Sequence, residues 1–132
     1  MQNLRLVNAL YIDDHPKVDV LRSVFSREQL QADIVLAQTT GEALSIIKDP
    51  NNRCYERFNV VFLDFDLRGR NAIELGLVRL LTTSGFGKEG KPLIGCSLLG
   101  NSRKRMLKAG CTEAINLNNE AAISQVCNLL RQ

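Results

Sequence analysis

Asp13, Asp14, Asp64 and Asp66 are the residues of this sequence whose type and setting could do chemistry. Both pairs follow apolar runs: Ala9, Leu10, Tyr11 and Ile12 lead into Asp13, and Val60, Val61, Phe62 and Leu63 lead into Asp64. Runs of about four to eight apolar residues suit strands buried on both faces, as in a parallel sheet. The carboxyl ends of such strands form the ligand crevice. If the first and third strands are neighbours, Asp13, Asp14 and Asp64 converge at one edge. Two carboxylates ~4 Å apart repel by about 4 kcal/mol at the effective dielectric of a protein surface. The cluster therefore calls for a counter-charge, either a cationic side chain or a metal. Hard oxygen ligands with room for water describe a Mg²⁺ site. A carboxylate there can also attack phosphorus and form an aspartyl-phosphate. Ser97, at the end of another apolar stretch, could donate its hydroxyl proton to a phosphoryl oxygen.

The elements that must position these groups alternate between strand and helix. Residues 4 to 12 read as a strand, and Pro16 suits the first turn of the helix bearing Val20, Leu21, Val24 and Phe25. Residues 32 to 38 read as a second strand. Thr39 with Glu42 makes a capping box for a second helix, which ends before Pro50. Residues 51 to 57 read as a polar loop into the third strand. Asn71 can cap a third helix with Ile73, Leu77, Leu80 and Leu81, closed by the turn-rich residues 82 to 91. Residues 92 to 97 give a fourth strand, and residues 102 to 109 a helix that stops at Gly110. Residues 112 to 117 read as a weak fifth strand, after which Asn118 or Asn119 caps a last helix. Five strands alternating with five helices imply a parallel sheet covered on both faces.

Composition narrows the class. At 132 residues, with 45% hydrophobic and 23% charged residues, the chain reads as one soluble, ordered domain. The net charge of +3 is modest, and basic residues never run beyond three in a row, which argues against direct nucleic-acid binding. The four cysteines, Cys54, Cys96, Cys111 and Cys127, lack C-x-x-C spacing and read as reduced thiols of a cytoplasmic protein. No apolar run approaches the ~18 residues of a membrane span, and no secretory signal is visible.

"YIDDHP", "VVFLDFDLRG" and "PLIGCS…RMLKAGCTEAINL" resemble the receiver domain of bacterial two-component response regulators. The resemblance covers nearly the whole chain, motifs in order, and implies one receiver domain over residues 1–132. It implies a flavodoxin-like (βα)₅ fold of class α/β: a three-layer sandwich around a five-stranded parallel sheet in strand order 2-1-3-4-5. It also implies transfer of a phosphoryl group from a histidine kinase or phosphotransfer protein onto Asp64. Such a protein is a phosphoacceptor rather than an enzyme with an external substrate. By the same resemblance Asp14 holds Mg²⁺ directly, Asp13 helps, the backbone carbonyl of Asp66 adds a ligand, and Ser97 turns toward the phosphoryl group. An output partner would dock on the face of the fourth helix, fifth strand and fifth helix.

Three departures from the family stand beside these matches. The position that the family gives to a Lys after the fifth strand is Leu117 here, followed by Asn118 rather than Pro. The aromatic position of the fifth strand is Ala114, and Leu98 follows Ser97 where a small residue is usual. These favour a second reading, a degenerate pseudo-receiver that binds partners without cycling phosphate. "VVFLDFDL" is also similar to the D-x-D motif of haloacid-dehalogenase-type phosphatases. Those need a later acidic pair, however, and only Glu113 and Glu120 follow Ser97. His15 reads as a surface histidine at a helix start. Arg103, Lys104, Arg105 and Lys108 read as a solvated helix face or a docking surface, and Arg68 or Arg70 could supply part of the missing charge.

Overall fold

Two apolar runs, residues 9 to 12 and 60 to 63, become neighbouring strands because each must bury side chains on both faces. The computed structural model describes residues 5–132, so Leu4, expected in the first strand, lies outside the described residues. In chain order the elements are β1 (Arg5–Ile12), α1 (Val18–Arg27), β2 (Leu30–Ala37), α2 (Thr40–Ile47) and α3 (Cys54–Arg57). Next come β3 (Val60–Asp64), β4 (Asp66–Leu67), β5 (Arg70–Asn71) and α4 (Leu77–Thr83). The chain finishes with β6 (Leu93–Cys96), α5 (Gly100–Ala109), β7 (Glu113–Ile115) and α6 (Glu120–Leu130). Five strands form one sheet in the order β2-β1-β3-β6-β7, every pair parallel. With the small antiparallel pair β4 and β5 set aside, this is the expected order 2-1-3-4-5.

Side chains alternate across the pleat, so each central strand feeds two cores. Val7, Ala9 and Tyr11 of β1, with Val60 and Phe62 of β3, pack against Leu21, Val24 and Phe25 of α1 and Ile123 and Val126 of α6. Leu10, Ile12, Val61 and Leu63 face the other way, against Ala43 and Ile47 of α2, Leu77 and Leu81 of α4, and Met106 of α5. Burying one such side chain stabilises by about 1.5–3 kcal/mol, which is why residues 9 to 12 of β1 and 60 to 63 of β3 carry no charged or amide side chain before the strand ends. Phe62 is flanked by Tyr11 and Phe25, with ring centroids 6.3 Å and 6.1 Å away. At Gly95 a side chain would meet Met106, whose Sδ would lie 2.6 Å from a Cβ, so α5 lies directly on β6.

Some local expectations change. Pro16 precedes α1 rather than sitting in its first turn, since Lys17 is the N-cap and Val18 the first helical residue. The second strand spans residues 30 to 37, starting two residues early, and the fifth shrinks to residues 113 to 115. The loop expected over 51 to 57 contains the one-turn α3. Asn71 does cap: its Oδ1 accepts from the N–H groups of Ile73 (3.0 Å) and Glu74 (2.8 Å). It caps only one turn, because Gly76 at φ 77° breaks the right-handed path and α4 starts at Leu77. The fourth helix begins at Gly100, two residues early, and Gly110 ends it as expected. Among the described residues no helix is long and apolar enough to cross a membrane.

Candidate functional site

The pairing of Ile12 with Leu63 brings the next residues of both strands to the same sheet edge. One carboxylate oxygen each of Asp13, Asp14 and Asp64 can be chosen so that all lie within 4.8 Å of one another. Asp13 is buried and held on both sides. The Tyr11 hydroxyl donates to its Oδ2 at 2.7 Å, and the His15 N–H donates to its Oδ1 at 2.9 Å. The same hydroxyl accepts the Lys17 N–H at 3.0 Å, tying the strand end to the start of α1. Asp14 and Asp64 are half-buried. Burial first, then the Asp13 charge and a hydrogen bond shared with it, then Asp14 and Asp66, push the Asp64 carboxyl up to about 8. These leading causes all disfavour its charge, the mark of a site short of positive charge.

Asp66 is exposed and lines the same cavity of about 560 Å³, with Lys17, Arg68, Ser97 and Leu117. Arg68 and Gly69, at φ 53° and 83°, form the tip between β4 and β5, a mirror-image turn of the kind that suits tight hairpins. Arg70 pairs with Leu67 in that hairpin and does not line the cavity. His15 is exposed, with Nε2 3.8 Å from Asp14 Oδ2.

The β6 end is built differently. The Ser97 N–H donates to Ile115 O at 3.0 Å, and its Oγ accepts the Leu99 N–H at 3.1 Å. Arg103 Nη1 donates to the carbonyls of Ser97 (2.9 Å) and Leu98 (3.1 Å). Leu98 and Leu99 are 61% and 63% exposed beside the cavity, whereas Leu117 is buried in its wall. The basic run is therefore not uniformly solvated: Arg103 ties down the loop, and the Arg105 guanidinium lies 5.2 Å from the Phe65 ring centroid. Lys104 and Lys108 are exposed.

No protein-family model matches the sequence, and no curated protein is significantly similar to it. Solved structures are. The BeF3-activated N-terminal receiver domain of Klebsiella pneumoniae RstA superposes with a TM-score of 0.67 at 20% identity, over 95% of this chain and 99% of that one. A response-regulator receiver domain from Rhodospirillum rubrum gives a TM-score of 0.67 at 18% identity, over 95% and 94%. The receiver domain of a Francisella response regulator gives 0.64 at 20% identity, over 94% and 95%. The fold is that of response-regulator receiver domains.

Within this receiver fold the acidic residues picked from the sequence meet at one sheet edge, and Ser97 and Leu117 line the same cavity. Ala114 is half-buried against the core beneath α4 and α5. Tyr11 and Lys17 were not singled out. Tyr11 had a signal in its spacing, since residues two apart share one face of a strand and so bring its hydroxyl to Asp13. The donor set fits a hard divalent cation: carboxylate oxygens from three residues at the mouth of an open cavity with space for water.

Proposed function

We propose that this receiver fold accepts a phosphoryl group on Asp64 from a histidine kinase or a phosphotransfer protein. The observation that carries the reading is the half-buried Asp64 carboxylate, crowded by Asp13 and Asp14 at the mouth of the cavity. An Asp64 oxygen attacks phosphorus, the bond to the donor nitrogen breaks, and the electron pair leaves on the imidazole. Asp14 and Asp64, with help from Asp13 and the backbone carbonyl of Asp66, would hold Mg²⁺. Bound there, Mg²⁺ supplies the positive charge that the carboxylates and the phosphoryl oxygens need.

The Ser97 oxygen already accepts from Leu99, which leaves its proton free to point at a phosphoryl oxygen. Tyr11 fixes Asp13, so Asp13 shapes the cluster rather than attacking. On this reading the protein is not an enzyme toward an external substrate; it receives and later loses its own phosphoryl group. Its output partner would dock on the face of α5, β7 and α6. Four buried free thiols support a reducing, cytoplasmic setting.

The competing reading, a phosphate-independent binding module, draws on Leu117, Ala114 and the exposed Leu98 and Leu99. Intact-mass measurement after incubation with Mg²⁺ and acetyl phosphate separates the two. Wild type should gain one phosphoryl group and Asp64→Asn none. If wild type gains nothing from acetyl phosphate or from a cognate kinase, the binding-module reading replaces the acceptor reading.

A further inference from the structure

We propose that Lys17, anchored by Asn118, is the side-chain cation that meets a phosphoryl group on Asp64. The proposal rests on Asp64 being the acceptor. An acyl phosphate on Asp64 carries about two negative charges where the carboxylate carried one, so the cluster of three carboxylates becomes more negative by roughly one charge and gains three strong acceptor oxygens. Among the described residues, the lysines and arginines lining the cavity are Lys17 and Arg68.

Lys17 is held at both ends. Its N–H donates to the Tyr11 hydroxyl at 3.0 Å, and its Nζ donates to Asn118 Oδ1 at 2.7 Å. Asn118 is itself fixed, since its N–H donates to Asn116 Oδ1 at 2.9 Å. The side chain thus spans from the start of α1 to the loop after β7, and places an ammonium beside a wall where Leu117 offers only methyl groups. An ammonium has three protons, and Asn118 takes one. Asn118 keeps the ammonium in place, and a phosphoryl oxygen accepts one of its remaining protons in a charge-assisted hydrogen bond. Both side chains are exposed, but Arg68 sits at the tip of the β4–β5 hairpin, whereas the Lys17 ammonium is tied to the loop after β7.

Beryllofluoride, a phosphoryl mimic that needs Mg²⁺, provides the test. Its affinity is read by amide chemical shifts for wild type, Lys17→Met, Lys17→Arg, Asn118→Ala and Arg68→Ala, and Mg²⁺ alone is titrated into each. Lys17→Met should weaken beryllofluoride roughly tenfold, the loss of one hydrogen bond to a charged group. It should bind Mg²⁺ no more weakly than wild type, because a like charge has been removed from the metal's surroundings. Lys17→Arg should retain most of the affinity, Asn118→Ala should lose part, and Arg68→Ala should stay within about twofold.

The assignment is overturned if Lys17→Met binds beryllofluoride like wild type, or loses Mg²⁺ in parallel, or if the loss appears in Arg68→Ala instead. In each case wild type still binds the mimic, so the acceptor reading stands. If wild type neither binds beryllofluoride nor gains a phosphoryl group from acetyl phosphate, Asp64 is no acceptor and both readings fall together.

Discussion

At the ends of β1 and β3 the polar groups hold one another, whereas at the ends of β6 and β7 they are tied to backbone and flanked by leucine. Asp13 is buried, and both its oxygens are occupied, one by a phenol and one by a main-chain N–H. Ser97 makes a local turn with Leu99, and its loop is tethered from outside by Arg103. The first arrangement keeps its geometry because an unpaired polar group in a buried network is costly. The second has little to lose, since most of its groups can turn to water. One side of the site is preset and the other adjustable, the division of labour that the proposed acceptor role calls for.

The largest effect that would sharpen this contrast comes from Tyr11→Phe. It strips a donor from a buried carboxylate and an acceptor from the Lys17 N–H. We expect a loss of about 2–3 kcal/mol in denaturant melts, the scale of a hydrogen bond to a charged group.

Asp64→Asn should go the other way in divalent-free buffer. The folded protein keeps the Asp64 proton up to about pH 8, against an ordinary value of 3.8, so wild-type stability relative to the variant falls as pH rises between these limits. The variant should gain about 1–2 kcal/mol at pH 8–9, a figure reduced for solvent screening of a half-buried site, and nothing near pH 4. Equal melts at both pH values would mean that the Asp64 charge is already balanced.

Arg103→Ala removes two hydrogen bonds to loop carbonyls, one part-buried and one exposed, and should cost about 1 kcal/mol, with faster amide exchange confined to residues 97 to 99. Ser97→Ala should change stability by no more than about 0.5 kcal/mol, because water can take over the Leu99 N–H. A Ser97→Ala cost equal to that of Tyr11→Phe would erase the distinction between the two sides.

Much of the architecture was legible because it depends on patterns short enough to see. Strands buried on both faces show as apolar runs, and carboxylates at their ends show as abrupt changes of polarity. The Thr39 and Glu42 capping signature lies within one turn, and the structure has its N-cap half: Thr39 Oγ1 accepts the Glu42 N–H at 3.0 Å, while Glu42 Oε1 accepts the Thr39 hydroxyl at 3.2 Å rather than its N–H. Interactions set by tertiary placement were not legible. Lys17 and Asn118 are 101 residues apart, and nothing local marks either as a partner. The Asn71 cap was readable, but the length of its helix was not, because Gly76 is tolerated in many helices and here takes a left-handed conformation instead. Arg68 at positive φ was hidden for a similar reason, since arginine seldom occupies that region.

The Tyr11 hydroxyl has an optical consequence. The chain has no tryptophan and two tyrosines, so its tyrosine-band emission comes from Tyr11 and Tyr55. A phenol donating to a carboxylate is quenched by partial proton transfer in the excited state, which makes Tyr11 dim and leaves Tyr55, 43% exposed and away from the acidic edge, as a steady background. On the proposed reading, a divalent ion drawing on Asp13 would weaken that acceptor and brighten Tyr11, a change that a Mg²⁺ titration of the emission would read. Tyr11 would then serve as an unlabelled fluorescent gauge of the acidic cluster, and Tyr11→Phe should silence it.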